Sequence, residues 1–492
     1  MKLSNHLQDK ERFIPWLIFL AAAIYYGALS SKVFTWAFVS GDSGDWLASS
    51  TWWMVPQPLG SPLFILLGHF LNLFPGDLVV KMTICLSALP SALTVTMVYL
   101  ITRRITRSTK VGLIAALVTI GAVVLLTQSI VLEEYALTTL FLTVAVWYYI
   151  DGSKTLTALF LGLATAVHAI VLPLVAIWLL LDRRNVRAYV KPLAVYAAVG
   201  ILPYTLILIL MAFHAPPLLA DYLSIKSVYT YLTGTSGAII GNIAIVDFPM
   251  RVLTWVGVLI VSVGLAAVPM AIATKRPFGP LKLPLAIAAF FSVYYLTNID
   301  PVAWTFLAMA IPSVAVMAGV GIAKLKTKYL KQAVAAGAAV LVIANGFMFN
   351  VGAITEASPE AQTFVAELDA IPDGSAVVCY AGRYSLALFY EMAQGRDLVP
   401  LINNKLDEGA YPDYGRWLEE NYAITGNTTY SIIQDAIDDR RPVYLAGAGW
   451  DPEWDQEVVG YWEELLRCCE LKGNGSIREL VGFSPRPRLE RD

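Results

Sequence analysis

Residues 41–70 read GDSGDWLASSTWWMVPQPLGSPLFILLGHF. Two carboxylates, Asp42 and Asp45, stand three residues apart, just beyond one apolar segment and just before another. The chain around them is 57% hydrophobic and 15% charged. Soluble chains carry roughly 25% charged residues, so this composition reads as a polytopic membrane protein. Acids so placed belong to a loop at a membrane face. The second half of the stretch, continued to Phe74 as SPLFILLGHFLNLF, is too short to span. It is expected to lie along the outer leaflet, or to dip into it, as an amphipathic or re-entrant helix.

Working outward, apolar runs fall near 13–31, 79–102, 110–128, 134–150, 155–181, 192–213, 252–273, 281–297, 302–322 and 332–351. The first has the length of a span and no small-residue cleavage site, so it reads as an anchor rather than a signal peptide. Basic residues are retained on the cytoplasmic side. They cluster at Arg103, Arg104, Arg107 and Lys110, at Arg183, Arg184, Arg187 and Lys191, at Lys275, Arg276 and Lys282, and at Lys324, Lys326, Lys328 and Lys331. Ten single crossings would put Lys154 and the cluster at 183–191 on opposite sides. The run 155–181 must therefore turn round as two short helices, with His168 near the turn and Pro173 just after it. About eleven transmembrane helices then satisfy every basic cluster. The N-terminus is cytoplasmic and the C-terminus extracytoplasmic, in a plasma membrane of prokaryotic type in preference to the endoplasmic reticulum.

With that topology Asp42, Asp45, Asp77, Glu133, Glu134, Asp221, Asp247 and Asp300 all lie outside. Up to residue 351 there are 23 Lys and Arg against 12 Asp and Glu; beyond it there are 12 against 25. Two domains are expected. Residues 1–351 form the transmembrane part, with a first outer loop at 32–78, and 352–492 form a small extracytoplasmic α/β domain. In the latter, DGSAVVCYA and RRPVYLAGAG read as strands, SLALFYEMAQG and YGRWLEENYAI as helices. Four cysteines, two of them adjacent at Cys468 and Cys469, make neither a disulfide framework nor a metal spacing.

An outer carboxylate pair beside a hydrophobic slot suits chemistry on a lipid-carried substrate. Group transfer from a polyprenyl phosphate needs a base to take the acceptor hydroxyl proton and cations to hold the departing phosphate. Asp42 or Asp45 can be the base; Lys32, Lys81, Lys226, Arg251 and Arg383 are the sparse outer cations. Plainer roles exist for the same residues. Asp42 and Asp45 suit a helix cap and first turn. Glu133 and Glu134 suit the hydrated end of a helix, and His168 a hydrogen-bonded core position. Arg251 can snorkel, and Trp46, Trp52 and Trp53 suit the membrane interface.

The loop GDSGDWLASSTWWMVPQPLGSPLFILLGHFLNLFPGD resembles the first outer loop of the GT-C superfamily of membrane glycosyltransferases, closest to its protein O-mannosyltransferase-like branch. That branch pairs D-S-G-[DE] with a P-x-G-x-P-L run and an L-L-G-[HR] helix. The likeness continues through EEYALTTLFL, GLATAVHAIVLPL, NIDPVAWTFLAMAIP and IPDGSAVVCYAGRYSLALFYEMAQGRDLVPLI. A single His168 stands where a His pair is common, and PQPLGSP where HPPGYP is usual. The resemblance implies inverting transfer of mannose or another hexose from a polyprenyl or dolichyl phosphate to a hydroxyl of a protein, lipid or glycan. It implies Asp42 as general base, with Asp45 supporting it or exchanging roles with it, and donor-side work for Glu133 and Glu134. His168, Lys226, Arg251 and Arg383 complete the candidate donor and substrate contacts. No cofactor is expected and no nucleic-acid partner. Two rivals remain: a lipid or sugar transporter or flippase, and a transferase using a lipid diphosphate with a divalent metal.

Overall fold

The computed structural model describes residues 2–30, 41–52, 60–181, 186–214, 248–274, 279–297, 301–351, 367, 370–372, 374–379, 399–400, 433–446, 465–475 and 477–484. The chain divides into two compact units. One comprises residues 1–34, 59–208 and 237–355, the other 35–58, 209–236 and 356–492.

The first unit is helical. It opens with α1 (Lys2–Ser30); α2 (Gly41–Trp52) follows in the chain but belongs to the second unit. Next comes α3 (Pro62–Asn72), the short apolar helix anticipated from SPLFILLGHFLNLF. Phe70 at its end, and Leu73 and Phe74 just beyond it, are exposed, as suits a short helix lying against lipid. Asp77 caps α4 (Leu78–Met82), its carboxylate accepting from Val79 N at 2.7 Å and Val80 N at 3.3 Å. This acid therefore has a structural role. A π-helical turn (Thr83–Ala88) joins α4 to α5 (Leu89–Thr106). There the Leu89 N–H reaches the Ile84 carbonyl, five residues back. Pro90 has no N–H to offer the Leu86 carbonyl, which is why the α register breaks here.

The expected single run 110–128 is two helices, α6 (Thr109–Ile120) and α7 (Val123–Ile130), bent by 63°. Two contacts from α16 (Lys328–Val351) hold the bend. The Asn345 amide donates to the Gly121 carbonyl at 2.6 Å. A Cβ on Gly121 would stand 3.0 Å from the Val342 nitrogen, so a larger residue would push the two backbones apart by a few tenths of an ångström. Asn345→Leu is expected to lose about 1–2 kcal/mol of stability in detergent or bicelles, in the range of interhelical hydrogen bonds in membranes. Unchanged unfolding would show that the amide does not hold the bend.

α8 (Tyr135–Asp151) pairs with α9 (Lys154–Val167). The expected break in 155–181 falls at His168, between α9 and a 3₁₀ turn (Ala169–Val171) that leads into α10 (Leu172–Leu181). At 14 residues α9 is roughly 21 Å long, too short to cross a core of about 30 Å. α11 (Val190–His214), α12 (Phe248–Val263), α13 (Ala267–Thr274) and α14 (Lys282–Thr297) follow. The run expected at 302–322 is also divided, into a 3₁₀ helix (Pro301–Met309) and α15 (Ile311–Lys324). Pro312 at the start of α15 cannot donate to Ala308, so the junction stays in 3₁₀ register, with Ala310 N bonded to Leu307 O at 2.9 Å.

α15 is the centre of the unit: every residue from Ile311 to Ile322 is buried. α1, α11, α12 and α16 instead expose apolar side chains such as Trp16, Leu202, Leu253 and Phe347, the faces that lipid covers. Among the described residues six helices are long and apolar enough to span a membrane, seven if α6 and α7 count as one. The protein is an integral multi-pass membrane protein.

The second unit contains a five-stranded mixed sheet in the order β2-β1-β3-β5-β4. Its strands are β1 (Ala376–Cys379), β2 (Val399–Pro400), β3 (Val443–Ala446), β4 (Cys469–Lys472) and β5 (Ile477–Phe483). β1 runs parallel to β2 and β3, with Ala376 opposite Val443, while β5 is antiparallel to β3 and β4. Ala376, Ile433, Ala436, Val443, Leu445 and Leu465 form its apolar core. DGSAVVCYA and RRPVYLAGAG supply β1 and β3 as expected; the helices anticipated in SLALFYEMAQG and YGRWLEENYAI lie outside the described residues. Neither Cys468 nor Cys469 is in a disulfide. Burial, then the neighbouring Cys468, push the Cys469 thiol up to about 12, which makes it a poor nucleophile.

Candidate active site

Glu133 and Glu134 lie between α7 and α8 and are 3% and 4% exposed. The plainer of the two readings makes them the hydrated end of a helix; both are instead buried. Two adjacent buried acids in a membrane protein are costly and are kept where they act on something. The local backbone is built to hold them. They precede the N-terminus of α8, whose dipole favours negative charge. Ser87, in the π-helical turn, bonds the Glu133 backbone: its hydroxyl lies 3.3 Å from the carbonyl oxygen and 3.5 Å from the nitrogen. The Thr138 hydroxyl donates to the Glu134 carbonyl at 2.9 Å. The π-helical turn before Pro90 thus places Ser87 against the Glu133 backbone.

His168 stands opposite. Its Nε2 is 3.6 Å from Glu134 Oε1, and its Nδ1 accepts the Ile170 N–H at 3.3 Å, capping the 3₁₀ turn. The imidazole sits among aromatic rings: Tyr135 at 5.5 Å, and Phe306, edge-on, at 5.5 Å. Phe306 in turn meets Tyr135 at 5.2 Å and Tyr294 at 5.0 Å. Four segments converge here: the start of α8, the α9–α10 break, the end of α14 and the 3₁₀ helix before α15.

The remaining candidates are placed as follows. α2 begins at Gly41, so Asp42 is in its first turn and Asp45 three residues on, within the helix rather than ahead of it. They belong to the second unit, Glu133, Glu134 and His168 to the first. Trp46, read as an interface aromatic, is buried. Arg251 Nη1 donates to the Tyr295 carbonyl at 3.2 Å, in the last turn of α14, where a cation is favoured. Lys81 donates to the Phe74 carbonyl and closes the turn between α3 and α4. Lys32, Lys226 and Arg383 lie outside the described residues. Among the described residues no group of three or more His, Cys, Asp or Glu is placed to hold a metal ion. Ser87, Tyr294 and Phe306 went unnoticed in the sequence. Only Pro90, inside the run 79–102, offered a signal that the α-helical register would slip near Ser87.

Residues 42–188 match the family model of the protein O-mannosyl-transferase TMEM260 N-terminal domain. The chain's fold is similar to crystal structures of ArnT from Cupriavidus metallidurans. The form bound to undecaprenyl phosphate gives a TM-score of 0.64 at 11% identity, the apo form 0.62 at 12%; both matches cover 96% of this chain and 99% of that one. No curated protein matches the sequence. At such identities the likeness to ArnT concerns the fold alone. The O-mannosyl-transferase family match spans the loop with Asp42 and Asp45 and the segment carrying Glu133, Glu134 and His168.

Proposed function

We propose that the enzyme moves a single sugar, mannose or another hexose, from a polyprenyl or dolichyl monophosphate to a hydroxyl on a protein, lipid or glycan at the outer membrane face, with inversion. The observation that carries this is the buried pair Glu133 and Glu134 at the N-terminus of α8, with His168 against Glu134. The fold around it is one that, in ArnT, holds undecaprenyl phosphate. Asp42 deprotonates the acceptor hydroxyl, and Asp45 supports it. Glu133 and Glu134 bind the donor sugar. Cations hold the leaving phosphate: Arg251, with guanidinium donors beyond the one given to Tyr295, together with Lys226 and Arg383.

In this reading the membrane part has about eleven crossings with the N-terminus inside, and residues 352–492 form an extracytoplasmic α/β domain. The work is done by carboxylates and cations of the chain, so no cofactor or metal is required. The test offers a panel of radiolabelled polyprenyl-phosphate sugars to membranes containing the protein, with and without a chelator. Label incorporated from one monophosphate donor, unchanged by chelation, supports the proposal and identifies the sugar. Incorporation only from a diphosphate donor, or only with a divalent ion, contradicts it.

A further inference from the structure

We infer that His168 is a positioning residue that acts through Glu134 and does not itself hold the donor phosphate. Both ring nitrogens are already directed into the protein. Nδ1 accepts the Ile170 amide proton, so it carries none of its own; the tautomer assigned from that bond is neutral and protonated on Nε2. Nε2 then faces Glu134 Oε1, 3.6 Å away. The ring cannot rotate to present either nitrogen elsewhere without breaking the Ile170 cap and leaving its contacts with Tyr135 and Phe306. The main chain of His168 is also held, its nitrogen donating to Ala164 O at 2.8 Å and its carbonyl accepting the Val171 N–H at 3.1 Å.

The gap of 3.6 Å is longer than a hydrogen bond. A few tenths of an ångström of closure on substrate loading makes it one, as polar contacts in empty active sites commonly tighten. His168 then fixes one carboxylate oxygen of Glu134 and leaves the other to a sugar hydroxyl. The broken helix explains itself on this account: an unbroken 155–181 would place residue 168 in regular backbone, with no 3₁₀ turn for its Nδ1 to cap. Catalytic assistance of this kind depends on geometry to within about 1 Å, where misplacement costs roughly 10²-fold in rate.

The role of Glu134 in sugar binding rests on the proposed function, so the test has two independent arms. In the first, transfer is measured for His168→Leu, Glu134→Gln and the double variant, with donor concentration varied. Groups that act as a unit are not additive. His168→Leu is expected to lower kcat about 10²-fold and to leave binding of polyprenyl phosphate itself unchanged. The double variant should be as slow as Glu134→Gln alone. His168→Gln, which keeps an N–H donor of similar reach, should recover part of the rate. Additive losses, or weaker binding of polyprenyl phosphate, overturn the inference.

The second arm needs no turnover. The chain has 4 histidines, so ¹⁵N-imidazole labelling, with His168→Gln for assignment, reads the tautomer in the intact protein. A neutral, Nε2-protonated ring whose signal moves in Glu134→Gln is expected. A charged ring, an Nδ1-protonated ring, or one indifferent to Glu134 overturns the inference. Coupling in the spectra without transfer from any donor would leave the positioning role standing and remove the proposed reaction.

Discussion

Asp42→Asn is expected to reduce sugar transfer by roughly 10²- to 10⁴-fold, the contribution typical of a general base, while expression and donor binding persist. Asparagine keeps the shape and polarity of the position and can still take part in the first turn of α2. What it cannot do is accept a proton from the acceptor hydroxyl. A capping or first-turn role predicts a different outcome, namely a loss of about 1 kcal/mol or less of stability with turnover retained. Rate and stability measured on the same variant therefore separate the two readings, and normal turnover would remove Asp42 from the mechanism. Asp45→Asn should cost less, because in this account it supports the base.

The second large effect concerns assembly. Gly321 lies in α15, the central buried helix, and a Cβ built on it collides with the backbone carbonyl of Pro269 in α13. Small residues allow such backbone approach between membrane helices. The obstacle is main chain, so no rotamer change relieves it. Gly321→Val should therefore exceed the roughly 1–3 kcal/mol of ordinary overpacking. It should appear as loss of monodisperse protein after extraction, with thermal unfolding well below that of the wild type. Gly257, whose Cβ would meet no atom within 4 Å, is the control. Equal tolerance at both positions would show that α13 and α15 are not packed as described.

Much of this architecture was legible because hydropathy in a bilayer is a strong signal. The anchors, the short helix at 62–72 and the broken run at His168 followed from apolar length and from the sorting of Lys and Arg. The bend at Gly121 and the 3₁₀ segment at 301–309 did not. Both arise from contacts or missing donors that leave the apolar run unbroken: Asn345 is distant in sequence from Gly121, and Pro312 lies in the middle of a continuous hydrophobic stretch. At the site, Glu133, Glu134 and His168 were visible as unusual residues in apolar surroundings. The burial of the two acids was not, since hydropathy gives the end of a helix without saying what covers it. Nor could the sequence show the orientation of His168, which depends on the Ile170 amide and on Phe306, more than a hundred residues away.

The most direct test of the central claim follows both products of one reaction. Purified protein in liposomes receives a polyprenyl-phosphate sugar labelled on both lipid and sugar, together with an acceptor-containing extract. The account predicts that free polyprenyl monophosphate appears in step with transferred sugar, one for one, and that Asp42→Asn produces neither. Label that changes leaflet while sugar and lipid stay joined would contradict the account and identify a flippase.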